Sequence, residues 1–332
     1  EFLSPETRST LRRLGLEEQV RDLNPAEIDT VRIHSERGVQ LEIPLPGPAW
    51  GVSRYALDAM LQDAASRAGA DIHTSCAVSR VTPDKDGYRI AAAGETVPLE
   101  LFTRVAIGAG GRMSFPANRT NANAGVRTYV GIKSHYASSD RAPIVDLYFF
   151  RGGYIGIAPV EGNRLNVAAL VTSSAFQSFG ASSALERIVD DACNHVPALR
   201  ERLADARPLT ETRSATSPVH VRRRPSAWSD MACIGDALAV IPPFCGDGMS
   251  MALRSSELCA PLADAYLRGA CTLAEWRSRY TEQIERHFSG ALRWGGMLEH
   301  TVNHSVLFGV LLRLGAIWPR AAQALVRATR LS

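Results

Sequence analysis

The chain has 332 residues, 45% hydrophobic and 21% charged, an ordinary globular composition that excludes a disordered or low-complexity polymer. Its 37 basic and 34 acidic residues leave a net charge of +3, too small to mark a nucleic-acid-binding surface, so no nucleic-acid partner is expected. Six scattered cysteines (Cys76, Cys193, Cys233, Cys245, Cys259, Cys271) form no CxxC or Cys/His metal spacing, which points to a reducing, cytoplasmic setting without a metal site.

The opening stretch EFLSPETRSTLRRLGL has helical spacing, with Ser4 at the cap, Pro5 at the first helical position and Gly15 at the end. TVRIHS and VQLEIPL follow as a strand pair around Glu36-Arg37-Gly38. Residues 53–70 form an amphipathic helix that Ser53 caps and Gly69 stops. A series of short strands comes next, with a turn at Asp86-Gly87, ending in RVAIGAGG (104–111), an apolar strand that runs into glycines. Between 128 and 172 four strands rich in aromatic and β-branched residues predict an antiparallel sheet with one wet face. Residues 182–206 are helical with a break at Pro197, and DMACIGDA (230–237) returns to an apolar strand. From Leu273 the pattern is helical, broken at Pro319; the apolar run 306–318 contains Arg313 and is too short to span a bilayer.

This order predicts an α/β fold in which a second, antiparallel sheet is inserted into the first domain. The first domain takes 1–127 and 220–268, the inserted sheet 128–219, and a C-terminal helical region 269–332.

The most informative stretch is CIGDALAVIPPFCGDGMSMAL, beginning at Cys233. Strand, Gly-Asp, loop, Gly-Asp-Gly, helix is a layout for an anionic or polyhydroxylated ligand, because α/β sheets bind at the carboxyl ends of their strands. Gly235 allows close backbone approach and Asp236 can accept hydrogen bonds from sugar hydroxyls. Gly246 and Gly248 open a helix whose first N–H groups favour negative charge, and Pro242 and Pro243 stiffen the loop before it. Asp247 is expected to cap that helix and to point away from any ligand.

This stretch resembles the second flavin motif of the glutathione-reductase-type FAD enzymes, in the branch of aromatic hydroxylases and geranylgeranyl reductases; the matching positions are Gly235, Asp236, Pro243, Gly246 and Gly248. EFLSPETRSTLRRLGL, VSRYALDAML and GGYIGIAPVEGNRLNVAALV resemble further segments of the branch, and the likeness spans about three quarters of the chain. The resemblance implies a glutathione-reductase-type FAD-binding domain, FAD held by Arg54, Gly235, Asp236, Pro243, Gly246, Asp247, Gly248 and Met249, and NAD(P)H as reductant. Arg54 would lie near the FAD phosphates.

Two departures qualify the match. The family's GxGxxG unit is not in this sequence and is expected before Glu1, either as an N-terminal fragment lost from the chain or as a separate partner. In IGAGGRMS (107–114), Gly110 stands where the family has Asp.

The implied function is NAD(P)H-driven monooxygenation of a hydrophobic or aromatic small molecule, with double-bond reduction or a non-catalytic remnant as alternatives. A halogenase is disfavoured because Trp-x-Trp-x-Ile-Pro does not occur. No side chain stands out as an acid or base. Lys133, His135 and Tyr154 are expected as sheet residues, Cys245 as an inert thiol beside the flavin edge, and His300 and His304 as surface residues. HVRRRPSAW (220–228) is a basic loop whose functional alternative is docking of NAD(P)H phosphates. The arginine-bearing C-terminal helices could contact a membrane peripherally.

Overall fold

In the computed structural model, which describes residues 1–94, 98–113, 127–179, 184–221, 224–318, 320 and 323–324, one large sheet carries most of the architecture. Its eight strands lie in the order β1 (Phe2–Leu3), β3 (Gln40–Gly51), β2 (Ala26–Ser35), β9 (Ile144–Phe150), β10 (Gly153–Val160), β11 (Arg164–Thr172), β8 (Tyr129–Ala137) and β12 (Arg207–Val219). Neighbours are antiparallel except β2 and β9, which run parallel with Arg32 opposite Asp146. The sheet thus draws on residues 2–51 as well as 129–219. The buried Asp146 carboxylate holds this junction, accepting from Arg32 at 2.6 Å and lying 3.1 Å from His34 and 3.0 Å from Arg202.

Strand period explains the two faces of the sheet. Ile132, Ile155, Ile157, Leu165, Val167 and Val171 point one way and bury against Leu185, Ile188 and Leu199. Those partners sit on α5 (Ala184–His195) and α6 (Pro197–Arg202), which follow the short α4 (Ser173–Phe179); Pro197 starts α6 at a position where its missing N–H costs nothing. The alternating residues Gly131, Lys133, Tyr154, Asn166, Ala168 and Leu170 line a cleft on the opposite face. The wet face expected from sequence is therefore corrected: it roofs a cleft and, further along, packs Phe149 and Tyr154 against Phe308 and Leu312 of α9 (Ser305–Ile317).

A second layer is built on β7 (Ile107–Gly108) and β13 (Ala232–Cys233), which pair in parallel. Behind them lie α7 (Gly248–Leu267) and α8 (Leu273–Val302), with Met251, Cys259, Trp276, Tyr280, Ile284 and Phe288 closing one apolar core. Thr272 and Glu275 form a reciprocal capping box that starts α8, and Tyr280 donates its hydroxyl to the Cys233 carbonyl at 2.8 Å. β4 (Ala77–Asp84), β5 (Gly87–Ala93) and β6 (Pro98–Thr103) make a separate meander, with its first turn at the expected Asp86-Gly87.

Near the start of the chain, α1 (Pro5–Arg13) begins at Ser4, but the Ser4 hydroxyl makes no cap bond and meets Thr7 Oγ1 at 3.3 Å instead. α2 (Glu17–Asp22) docks on α1 through Glu17, which accepts from Arg12 at 2.6 Å and Arg8 at 3.3 Å. α3 (Arg54–Arg67) is capped as expected, Ser53 Oγ accepting the Ala56 N–H at 3.1 Å, and Gly69 leaves it at φ 95°. No described helix is long and apolar enough to cross a membrane. Pro319, expected to break the C-terminal helix, lies outside the described residues.

Candidate functional site

The site begins where β13 ends. Gly235 takes φ +60°, a conformation that favours glycine, and its N–H donates to the buried Ser255 Oγ at 2.9 Å. That bond pins the turn to α7, so Asp236 is presented at the strand end from a fixed base.

Pro242 and Pro243 carry the chain to Gly246, where glycine is needed twice over. Its φ is +74°, and a Cβ there would stand 2.9 Å from the Phe2 ring. Gly248, two residues on, faces open space: a Cβ meets nothing within 4 Å.

Asp247 occupies the N-cap position of α7 but makes no side-chain cap bond, which corrects the capping expectation. The residue is 1% exposed and lies outside the cleft lining; the Ser250 hydroxyl donates to its carbonyl at 2.9 Å and sits 3.4 Å from Oδ1. The Asp247 carboxylate faces the Ser250 side chain in the first turn of α7 and not the backbone N–H groups there. The α7 N-terminus is left without a side-chain cap where Gly248 and Met249 line the cleft.

The cleft has a volume of about 550 Å³. Asp236, Pro243, Gly246, Gly248 and Met249 make one wall and the sheet residues Lys133, Asn166, Ala168 and Leu170 the other. Arg54 and Asp58 stand at one end, joined by a pair of hydrogen bonds of 3.0 and 2.9 Å. Those bonds, and then the nearby charge of Asp236, raise the Arg54 guanidinium above its ordinary value. Six of the eight predicted site residues therefore share this cleft; Gly235 and Asp247 support it from behind.

Among the other sequence candidates, Lys133 lines the cleft, and both Lys133 and His135 engage the Glu1 carboxylate. Cys245 lies on the turn after Pro243, off the cleft wall. His300 and His304 are exposed with ring centroids 4.6 Å apart, and no metal-binding group occurs among the described residues. Near Gly110, the cleft receives a cation that sequence reading missed: Arg112 reaches it while donating to Thr216 Oγ1 and to the Pro218 carbonyl. Arg222 and Arg223 of the basic loop, and Ser114, lie outside the described residues.

A second pocket of about 360 Å³ adjoins the cleft, sharing Tyr154, Leu170 and Pro243 with it. Phe149, Tyr154, Phe244 and Phe308 box it in, with ring centroids 4.8 to 5.9 Å apart in edge-on and tilted contacts. Its polar end is Tyr129, which donates to Glu299 at 2.8 Å and accepts from Asn303 at 3.2 Å. Burial, and then the bond to Glu299, push the Tyr129 hydroxyl up to about 12. None of these polar residues was foreseen as functional: Glu299 lies in the last turn of α8 and Asn303 just past its end, with no local motif, and only the fold brings them to Tyr129 on the sheet.

No protein-family model matches the chain. Solved structures do. Flavin-dependent brominase Bmp2 superposes with a TM-score of 0.78 at 16% identity, over 98% of this chain and 82% of that one. Pseudomonas aeruginosa PqsL, in complex with 2-aminobenzoylacetate, gives 0.75 at 17% identity, over 94% and 88%. The myxobacterial chondrochloren halogenase CndH gives 0.74 at 19%, over 96% and 77%. The fold is that of the FAD-dependent halogenases and monooxygenases. The large mixed sheet and the C-terminal helices of the present chain match that fold.

The residues present fit a flavin dinucleotide. The α7 terminus is uncapped beside the cleft, Gly248 leaves space that a side chain would fill, and Arg54 and Asp236 offer a cation and an acceptor.

Proposed function

We propose that the protein is an FAD-dependent oxidoreductase, and specifically an NAD(P)H-driven monooxygenase of a hydrophobic or aromatic small molecule. The observation that carries this reading is the contiguity of two pockets of different character: a polar-ended cleft and an aromatic box that meet at Tyr154, Leu170 and Pro243.

Bound FAD supplies the redox chemistry, accepting hydride from a nicotinamide and passing electrons to oxygen. The chain's part is placement and electrostatics. Arg54 pairs with phosphate, and Asp236 accepts hydrogen bonds from sugar-chain hydroxyls. The α7 amides favour negative charge at the adjacent ring edge by about 0.3–2 kcal/mol. Pro243 supplies a rigid edge, while Ala168 and Leu170 on the roof exclude water from the contact between cofactor and substrate.

The reading is tested on the full-length protein reconstituted with FAD. It predicts a bound-flavin visible spectrum, nicotinamide oxidation coupled to oxygen uptake, and a product one oxygen atom heavier. Turnover that proceeds without oxygen would favour the double-bond reductase. Halogen incorporation from added chloride or bromide would overturn the sequence argument against halogenation, which the fold does not separate from hydroxylation.

A further inference from the structure

We infer that the outward face of α9 is a docking surface for an anionic lipid membrane, on which the helix lies flat. The inference goes beyond the flavoenzyme reading and does not depend on it.

The helix α9 is apolar on both sides, but the fold uses only one of them. At about 3.6 residues per turn, Phe308 and Leu312 share a face, and both are buried against the large sheet. Leu307, Val310, Leu314 and Ile317 recur on the other face, and all of them are exposed, Ile317 at 68%. Trp318 carries the stripe past the helix end at 64% exposure. Large apolar side chains kept in water along a whole helix mark a surface that a partner covers.

Charge identifies the partner. Arg313 flanks the stripe and Arg320 follows Trp318, both exposed. Residues 300–332 hold Arg313, Arg320, Arg327 and Arg330, and no Asp or Glu. Glu299, the carboxylate just before them, is turned to the Tyr129 hydroxyl at 2.8 Å. Toward the start of the helix, the exposed Arg37 and Arg151 share a pocket with Phe308, and Glu36 beside them accepts the Arg151 N–H at 3.0 Å. An anionic bilayer meets each part of this surface. Its acyl region takes Leu307, Val310, Leu314 and Ile317, its headgroup level takes the Trp318 indole, and its phosphates pair with the guanidinium groups. With 13 residues, α9 is long enough to lie on such a bilayer and too short to cross it. A second copy docked through the same face would set these arginines against their own equivalents, which opposes a dimer there.

Co-sedimentation of the full-length protein with vesicles tests the assignment, using phosphatidylcholine alone or in equal parts with phosphatidylglycerol. Wild type is expected to partition about tenfold or more strongly onto the anionic vesicles, with the preference falling as salt is raised. Leu314→Gln with Ile317→Gln should weaken binding to the anionic vesicles about tenfold or more. Arg313→Gln with Arg320→Gln should cut the anionic preference about fivefold or more. All four positions are exposed, so both double variants should keep the wild-type melting temperature. Where a double variant does not fold, fluorescence decides: anionic vesicles brominated along the acyl chains should quench tryptophan emission, and should quench it less in Trp318→Phe. No binding to anionic vesicles, equal binding to both kinds, double variants that behave as wild type, or quenching that Trp318→Phe leaves unchanged overturns the proposal. So does a wild-type dimer in lipid-free solution that the Leu314 and Ile317 substitutions dissociate, since the face then belongs to a second copy.

Discussion

Gly246 and Gly248 read alike in the sequence, yet the structure asks different things of them. Gly246 combines a left-handed backbone with a Phe2 ring at 2.9 Å from its absent Cβ, so Gly246→Ala strains the fold itself. The expected loss of stability is about 1–3 kcal/mol by denaturant titration, before any cofactor is added. Gly248 has room for a side chain, but that room is the cleft. Gly248→Leu should leave the cofactor-free melting temperature nearly unchanged and weaken FAD binding by roughly tenfold or more. Matching losses in both assays for both variants would contradict the assignment of one glycine to the fold and the other to the ligand. The Gly-Asp-Gly pattern made this pair visible in the sequence. It did not reveal that Asp247, expected to point away from the ligand and to cap α7, makes no side-chain cap bond, because a local pattern carries no information about which partner a buried carboxylate meets.

At the scale of elements, the helix starts show where local chemistry suffices and where it fails. Ser53 caps α3 as its sequence position suggests, whereas Ser4, in the same kind of position, spends its hydroxyl on Thr7. What ties α1 to α2 is a charge cluster instead. Arg12, and with it Arg8, hydrogen-bond Glu17 and lower its carboxyl from 4.5 to about 2. A carboxylate whose value is depressed on folding stabilises the folded form fully above its unfolded value and loses that contribution as pH falls toward the folded one. The window here is 4.5 down to about 2. Wild type should therefore lose melting temperature steeply across it, and Glu17→Gln should start lower at neutral pH and fall more gently. Parallel curves for the two proteins would remove Glu17 from the account of acid stability.

For the whole molecule, the sheet's individual strands were legible and their assembly was not. Alternation and β-branched residues mark β8 to β11, and the Glu36-Arg37-Gly38 turn marks β2 and β3. The parallel pairing of β2 with β9 joins residues more than a hundred positions apart and leaves no local trace except the Arg32, His34 and Asp146 side chains it brings together. β12 escaped notice for a different reason: its pairing with β8 is broken by register shifts, and its side chains are mostly exposed, so no clean two-residue period survives. The cleft was legible on its helix side, where a motif shapes it. Its other wall belongs to the sheet, and Lys133, Asn166 and Leu170 become part of a site only through topology. The same holds for α9, apolar on both sides in sequence, where only the fold buries Phe308 and Leu312 and leaves Leu307, Val310 and Leu314 exposed.

The central claim is that the α7 N-terminus, Arg54 and Asp236 together hold a flavin dinucleotide against the sheet. A crystal structure of the FAD-loaded protein tests it most directly. Cofactor density in the cleft, with the ring system beside Pro243, Gly248 and Met249 and phosphate at Arg54, is the predicted result. Cofactor bound at any other surface, with this cleft filled only by solvent, would contradict it.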